Sequence, residues 1–161
     1  MNVAELIERA HKQAQISGFW QTENVGEKFA LIATEIMEYE DAVTEAKRLE
    51  EVADIVIRVF DLCGYLGFDL PEDMLVNTRP MTTGSQGHDK EFAYRAYRFV
   101  ASATQRNRRF DLAGTQGWLI TLVGICVETM NRPHEHEPLL GAILAKMEKN
   151  AGRPDLHGRS Y

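Results

Sequence analysis

The chain reads as an all-α helical bundle, and three observations predict it. Apolar residues recur at helical spacing along most of the length. No alternating apolar pattern of the kind that marks a strand persists anywhere. Breaks containing Gly or Pro cut the periodic stretches into helix-sized pieces. A length of 161 residues suits one domain with a real core, and 44% hydrophobic with 26% charged residues is ordinary globular composition. One domain over residues 1–161 is therefore expected.

Taken in order, Val3, Leu6, Ile7 and Ala10 share a face, and the Ser17-Gly18 break ends a first helix over about residues 2–16. A connector, Phe19-Trp20-Gln21-Thr22-Glu23-Asn24, follows. Asn24 with Glu27 three residues later resembles a capping box and opens a second helix. Its stripe is Phe29, Ile32, Ile36, Tyr39 and Val43. It is expected to fray near Thr44 to Arg48, where Lys47 and Arg48 suit a helix C-terminus. A third helix carries Val52, Ile55, Val56, Val59, Leu62, Cys63 and Leu66, with Gly67 and Pro71 as its stop. Residues 76–90 mix Gly, Thr, Ser and Pro without period and predict a mobile loop, with a lid as one use for it. Three more helices are expected at about 90–108, 112–130 and 136–151. The middle one is nearly apolar all round and so is placed at the centre. The tail from Ala151 contains Gly and Pro and cannot continue a helix.

Composition also excludes several functions. A net charge of −6 argues against binding a nucleic-acid polymer, which needs a cationic face. Cys63 and Cys126 are far apart and lack CxxC spacing, so neither a disulfide framework nor a thiolate metal site is indicated, and a reducing, cytoplasmic setting is expected. The N-terminal stretch becomes charged too early for a secretory signal. The longest apolar run, Trp118 to Val127, is about half of the roughly 20 residues a bilayer span requires, so no membrane crossing is expected. There is no GxSxG and no GxxxxGK[ST].

The chemistry suggested by the sequence lies in its carboxylates. Glu35 and Glu38 are three apart on the second helix, and Glu51 and Asp54 repeat that spacing on the third. If the two helices form an antiparallel hairpin, Glu38 and Glu51 are equidistant from a turn centred between residues 44 and 45, and so are Glu35 and Asp54. All four acids are then expected to converge. Such a cluster raises its own pKa values unless a cation neutralises it, and an all-oxygen set favours Mg²⁺, with Mn²⁺ possible, over Zn²⁺. A single ExxE is most often a solvated helix face. Here the pairs flank the apolar stripes, with Lys28 and Arg58 a turn or two away on the same faces.

Other groups divide between two roles. Trp20, beside Phe19, suits either stacking on a nucleobase or anchoring in the core. Asn24 is a cap or a base contact. Lys146, Lys149, Arg153 and Arg159 gather positive charge at the C-terminal end, as a phosphate clamp or as surface balance for nearby acids. Arg132-Pro133-His134-Glu135-His136-Glu137-Pro138 reads as an exposed turn between prolines and not as a metal site.

The runs GFWQTENVGEKFALIATEIMEYEDA, EEVADIVIRVFDLCGYLGFDL and KMEKNAGRPDLHGRSY resemble the MazG-like nucleotide pyrophosphohydrolases of the all-alpha NTP pyrophosphatase superfamily. Their signature, ExxE then ExxD, is met by Glu35, Glu38, Glu51 and Asp54, and the likeness covers about residues 17–70 and 144–161. Residues 72–140 fit poorly and read as a variable insertion, including extra C-terminal helices. The resemblance implies hydrolysis of (deoxy)nucleoside triphosphates to monophosphate and pyrophosphate, Mg²⁺ on the four acids, and a homodimer or higher homo-oligomer. It also implies phosphate contacts from Lys28, Lys149 and Arg153, and we place Arg58, Trp20 and Asn24 with them as substrate-binding candidates. A non-catalytic nucleotide-binding or regulatory helical module is the alternative. A di-iron bundle is a weaker one, because only Glu8-Arg9-Ala10-His11 has the Glu-x-x-His form it needs twice.

Overall fold

The computed structural model describes residues 2–76, 89–130 and 138–152. Among them every regular element is a helix: α1 (Val3–Ile16), α2 (Val25–Asp41), α3 (Glu45–Leu66), α4 (Asp89–Arg108), α5 (Leu112–Met130) and α6 (Pro138–Ala151). The all-α reading holds. Caps fix the ends. Asn2 and Glu5 form a reciprocal capping box at the start of α1, satisfying two backbone donors that would otherwise have no partner. Asn24 caps α2, its side-chain oxygen accepting from Glu27 N at 3.2 Å. Gly67 closes α3 in the left-handed conformation, φ 69°, where a glycine has no Cβ to clash.

The stretch Thr44–Arg48 departs from expectation. It does not fray: α2 stops at Asp41, Ala42 is extended, and Thr44 caps α3 by accepting from Lys47 N at 3.2 Å. Lys47 and Arg48 therefore stand in the first turn of α3, the end where the helix dipole disfavours cations. Local partners offset this. Arg48 Nε donates back to Ala42 O at 3.2 Å, while Lys47 pairs with Glu50 and Glu51 one turn further on.

The bundle is organised around α3, which touches α1, α2, α5 and α6. Val52, Ile55, Val56, Val59, Phe60 and Leu62 are fully buried there. Centrality follows from this many-sided burial. The apolar α5, expected at the centre, instead pairs with α4 and meets α3 along one side, leaving Leu112 and Gly117 exposed. The α4–α5 hairpin sits against the rest through α4 on α2 and α5 on α3. At 19 residues α5 is long and apolar enough to cross a membrane, more than the Trp118–Val127 run suggests, yet Leu119, Leu122, Val123 and Cys126 are buried against protein. Except at its ends, the loop expected over 76–90 lies outside the described residues. The same is true of Arg132–Glu137 and the tail from Arg153.

Candidate metal centre

Three residues, Ala42–Thr44, connect α2 to α3, so the two helices must fold back antiparallel. This places Glu35 and Glu38 of α2 across from Glu51 of α3. One carboxylate oxygen from each lies within 4.8 Å of the others. Glu51 is 1% exposed and Glu35 8%, while Glu38 opens to solvent. A hard cation takes oxygen ligands at roughly 2.0–2.6 Å, and small side-chain rotations would bring three oxygens at this spacing to that distance. Lys47 Nζ closes on Glu51 Oε1 as an ion pair from the solvent side of the cluster. A buried carboxylate beside two other acids is costly to keep charged, and at this oxygen the counter-charge is a half-exposed lysine.

The fourth acid does not join the three. Asp54 Oδ2 is held by Lys146 Nζ at 2.6 Å, because α6 packs on α3 and delivers Lys146 to the side of the helix on which Asp54 lies. The expected four-way convergence becomes a trio with Asp54 at its margin. Electrostatic coupling remains. Burial lifts the Glu35 carboxyl above its ordinary range, Arg58 partly counters this, and Asp54 and Glu38 add repulsion. Burial lifts Asp54 as well, with Lys146 opposing and Glu51 reinforcing.

The other predicted site residues are divided. Arg58 is at the site, its Nε donating to Glu35 Oε1 at 3.0 Å and its guanidinium lying 4.5 Å from the Phe19 ring centre. Lys28 is buried beneath the connector: Nζ donates to Phe19 O and sits 4.8 Å from the Trp20 ring centre, a hold on the connector and not an open cationic tip. Trp20 stacks on Tyr65 at 4.2 Å and donates from Nε1 to Asp61 Oδ1 at 2.7 Å, so it is an anchor. Asn24 is a cap. Lys149 is exposed on α6, and Arg153 lies outside the described residues.

Compared with known proteins, the chain matches no family model, no curated protein and no solved structure. The site is therefore read from its own residues. Sequence reasoning missed two features. The first is Asp61, buried on α3 and accepting from both His11 Nδ1 at 2.8 Å and Trp20 Nε1. The signal was available: a carboxylate flanked by Phe60 and Leu62 in an apolar stripe must have partners. The second is a cavity of about 120 Å³ between α1, α3 and α6, which Phe19, Asp54, Arg58, Gln13, Ser17 and Asn150 help to line. Its polar amides and hydroxyl come from elements far apart in sequence. Phe19, and not Trp20, is the connector aromatic that faces it.

Proposed function

We propose that this chain is a divalent-cation-dependent hydrolase of nucleoside triphosphates, releasing a monophosphate and pyrophosphate. The observation that carries the reading is the meeting of Glu35, Glu38 and Glu51 from two antiparallel helices, with Glu35 and Glu51 buried. Glu35, Glu38 and Glu51 would hold Mg²⁺ or Mn²⁺. When bound, such an ion polarises phosphoryl oxygens and favours deprotonation of water.

The chain's own groups supply the rest. Glu38 is the exposed acid of the trio and is the one we assign to take the water proton, whose oxygen ends on phosphorus as the anhydride bond breaks. Arg58 lines the cavity and Lys146 holds Asp54, which lines it too, and cationic donors of this kind suit phosphate oxygens. The cavity is the place for the nucleoside, with Phe19 as a stacking surface and Gln13, Ser17 and Asn150 as hydrogen-bonding groups. Work of this kind depends on positioning and charge neutralisation more than on a protein nucleophile. The MazG-like resemblance supports the same assignment, including a homo-oligomer. Against a di-iron centre, His11 is engaged with Asp61 and Gln15, away from the trio.

The test is pyrophosphate release measured across the NTPs and dNTPs with Mg²⁺. The expected outcome is turnover by the wild type that Glu38→Gln abolishes while helical content stays unchanged. Turnover surviving in that variant overturns the assignment, and nucleotide binding without turnover by the wild type points to the non-catalytic module.

A further inference from the structure

Asp61 has no part in that scheme, although it is a wall of the same cavity. The tie it makes to α1 and to the connector uses one oxygen only: His11 Nδ1 at 2.8 Å and Trp20 Nε1 at 2.7 Å both meet Oδ1. The residue is 4% exposed. A carboxylate has acceptor sites on both oxygens, so Oδ2 keeps its capacity for what enters the cavity.

The register along α3 says which part of a ligand that would be. Asp54 and Asp61 are seven residues apart, two turns along one face and about 10 Å along the axis, with Arg58 between them. All three line the cavity. Asp54 stands at the margin of the acid trio, so a nucleotide whose phosphates lie toward the acids and Arg58 extends its far end toward Asp61. Ala14, Ile57 and Met147 give the space apolar walls, which suit the faces of a flat ring with polar groups on its edge.

We propose that Asp61 determines base preference, selecting a nucleobase that turns an exocyclic amino group toward it over one that presents a carbonyl oxygen at the same place. The inference rests on the nucleotide reading given above. A carboxylate accepts and does not donate, so an amino group gains a hydrogen bond there, whereas a carbonyl oxygen meets it acceptor to acceptor, away from water. The Trp20 contact makes the assignment sharper. Trp20 Nε1 can only donate, so the side chain at position 61 must turn an acceptor toward it. In Asp61→Asn the amide oxygen therefore stays with Trp20, and the amide NH₂ takes the place of Oδ2. The variant keeps the shape and offers the cavity a donor where the wild type offers an acceptor.

The test compares kcat/KM with Mg²⁺ for cytosine against uracil triphosphates and for adenine against hypoxanthine triphosphates. Within each pair the ring size is the same, and an amino group is exchanged for a carbonyl. The wild type should favour the amino member by on the order of a hundredfold or more, because a site that hydrogen-bonds a substrate N–H strongly rejects the analogue lacking it. Asp61→Asn, its helical content checked by far-UV circular dichroism, should reverse the order. Calorimetric binding of the four monophosphates should follow the same order and decides the matter where turnover is absent. The wild-type comparison needs no variant, so it remains decisive should Asp61→Asn fail to fold. An equal or inverted preference in the wild type, or an amino preference kept by folded Asp61→Asn, overturns the proposal and leaves the hydrolase reading standing. Neither turnover nor binding with any of the four bases overturns the nucleotide reading, and this inference with it.

Discussion

Helix α3 buries two carboxylates in opposite ways. Asp61, near its C-terminal end, is closed from two sides by ring nitrogens: His11 from α1 and Trp20 from the connector. Glu51, near the N-terminal end, is buried more deeply, lies beside two other acids, and is met at Oε1 by the tip of a half-exposed lysine. The first arrangement ties the connector to the bundle and is complete within the chain. The second leaves its counter-charge on a side chain that is half in solvent. Where a fold leaves a buried carboxylate open among other acids, the arrangement costs stability that a bound cation can restore.

Substitution at each end should therefore give opposite results, and the largest effect is expected at Glu51. Glu51→Gln keeps the shape and removes the buried charge, so saturable Mn²⁺ binding should vanish while thermal stability holds or rises. Calorimetric titration and thermal melts check both; a variant that still binds the ion, or that melts well below the wild type, breaks the comparison. Asp61→Ala comes next. It leaves His11 Nδ1 and Trp20 Nε1 without their acceptor, at about 1–3 kcal/mol, or a melting temperature lower by roughly 5 °C for a chain of this size. Mn²⁺ binding to the trio should survive.

Acidity sharpens the contrast. Burial lifts the Asp61 carboxyl above its ordinary 3.8, with His11 and Trp20 opposing. The folded state thus binds a proton that the unfolded state releases, and stability falls as pH rises through the window between 3.8 and the raised value. In the other direction, the wild type should gain on Asp61→Asn as pH is lowered through that window, and the difference should level off below it. Paired melts over an acid pH series measure this; a gap that stays constant would show that Asp61 does not titrate there.

How much of this was legible in the sequence depended on distance along the chain. The helices were readable because apolar stripes and caps such as Asn24 act over one or two turns. The trio was readable because α2 and α3 are neighbours joined by a short turn, so spacing alone sets which acids face each other. The start of α3 was not: Val43 prolongs the apolar stripe and Lys47-Arg48 look like a C-terminus, while the Thr44 cap and the back-bond from Arg48 to Ala42 depend on three-dimensional geometry. Asp54 was misplaced for a different reason. Its partner, Lys146, arrives on α6, and nothing local to α3 shows which side α6 will cover. The two roles open to Trp20 could not be separated locally, because Asp61 and Tyr65, which hold it as an anchor, lie on another helix.

The smallest effect is expected at the rim. Lys47 is half exposed, and its hydrogen bond to the Glu51 carboxylate holds its ammonium above the usual lysine range. Lys47's end of the pair is nevertheless half in solvent, which screens it, and the long side chain loses freedom in making it, so the pair contributes little to folding, about 0–1 kcal/mol. Lys47→Ala should therefore change the melting temperature by only a degree or two. If Glu51 is open to an outside ion in the way Asp61 is not, the same change should strengthen Mn²⁺ binding, since the ion no longer displaces a competing ammonium. Weaker binding in Lys47→Ala would mean that Lys47 helps to build the site, and the distinction between the two ends of α3 would then have to be drawn without it.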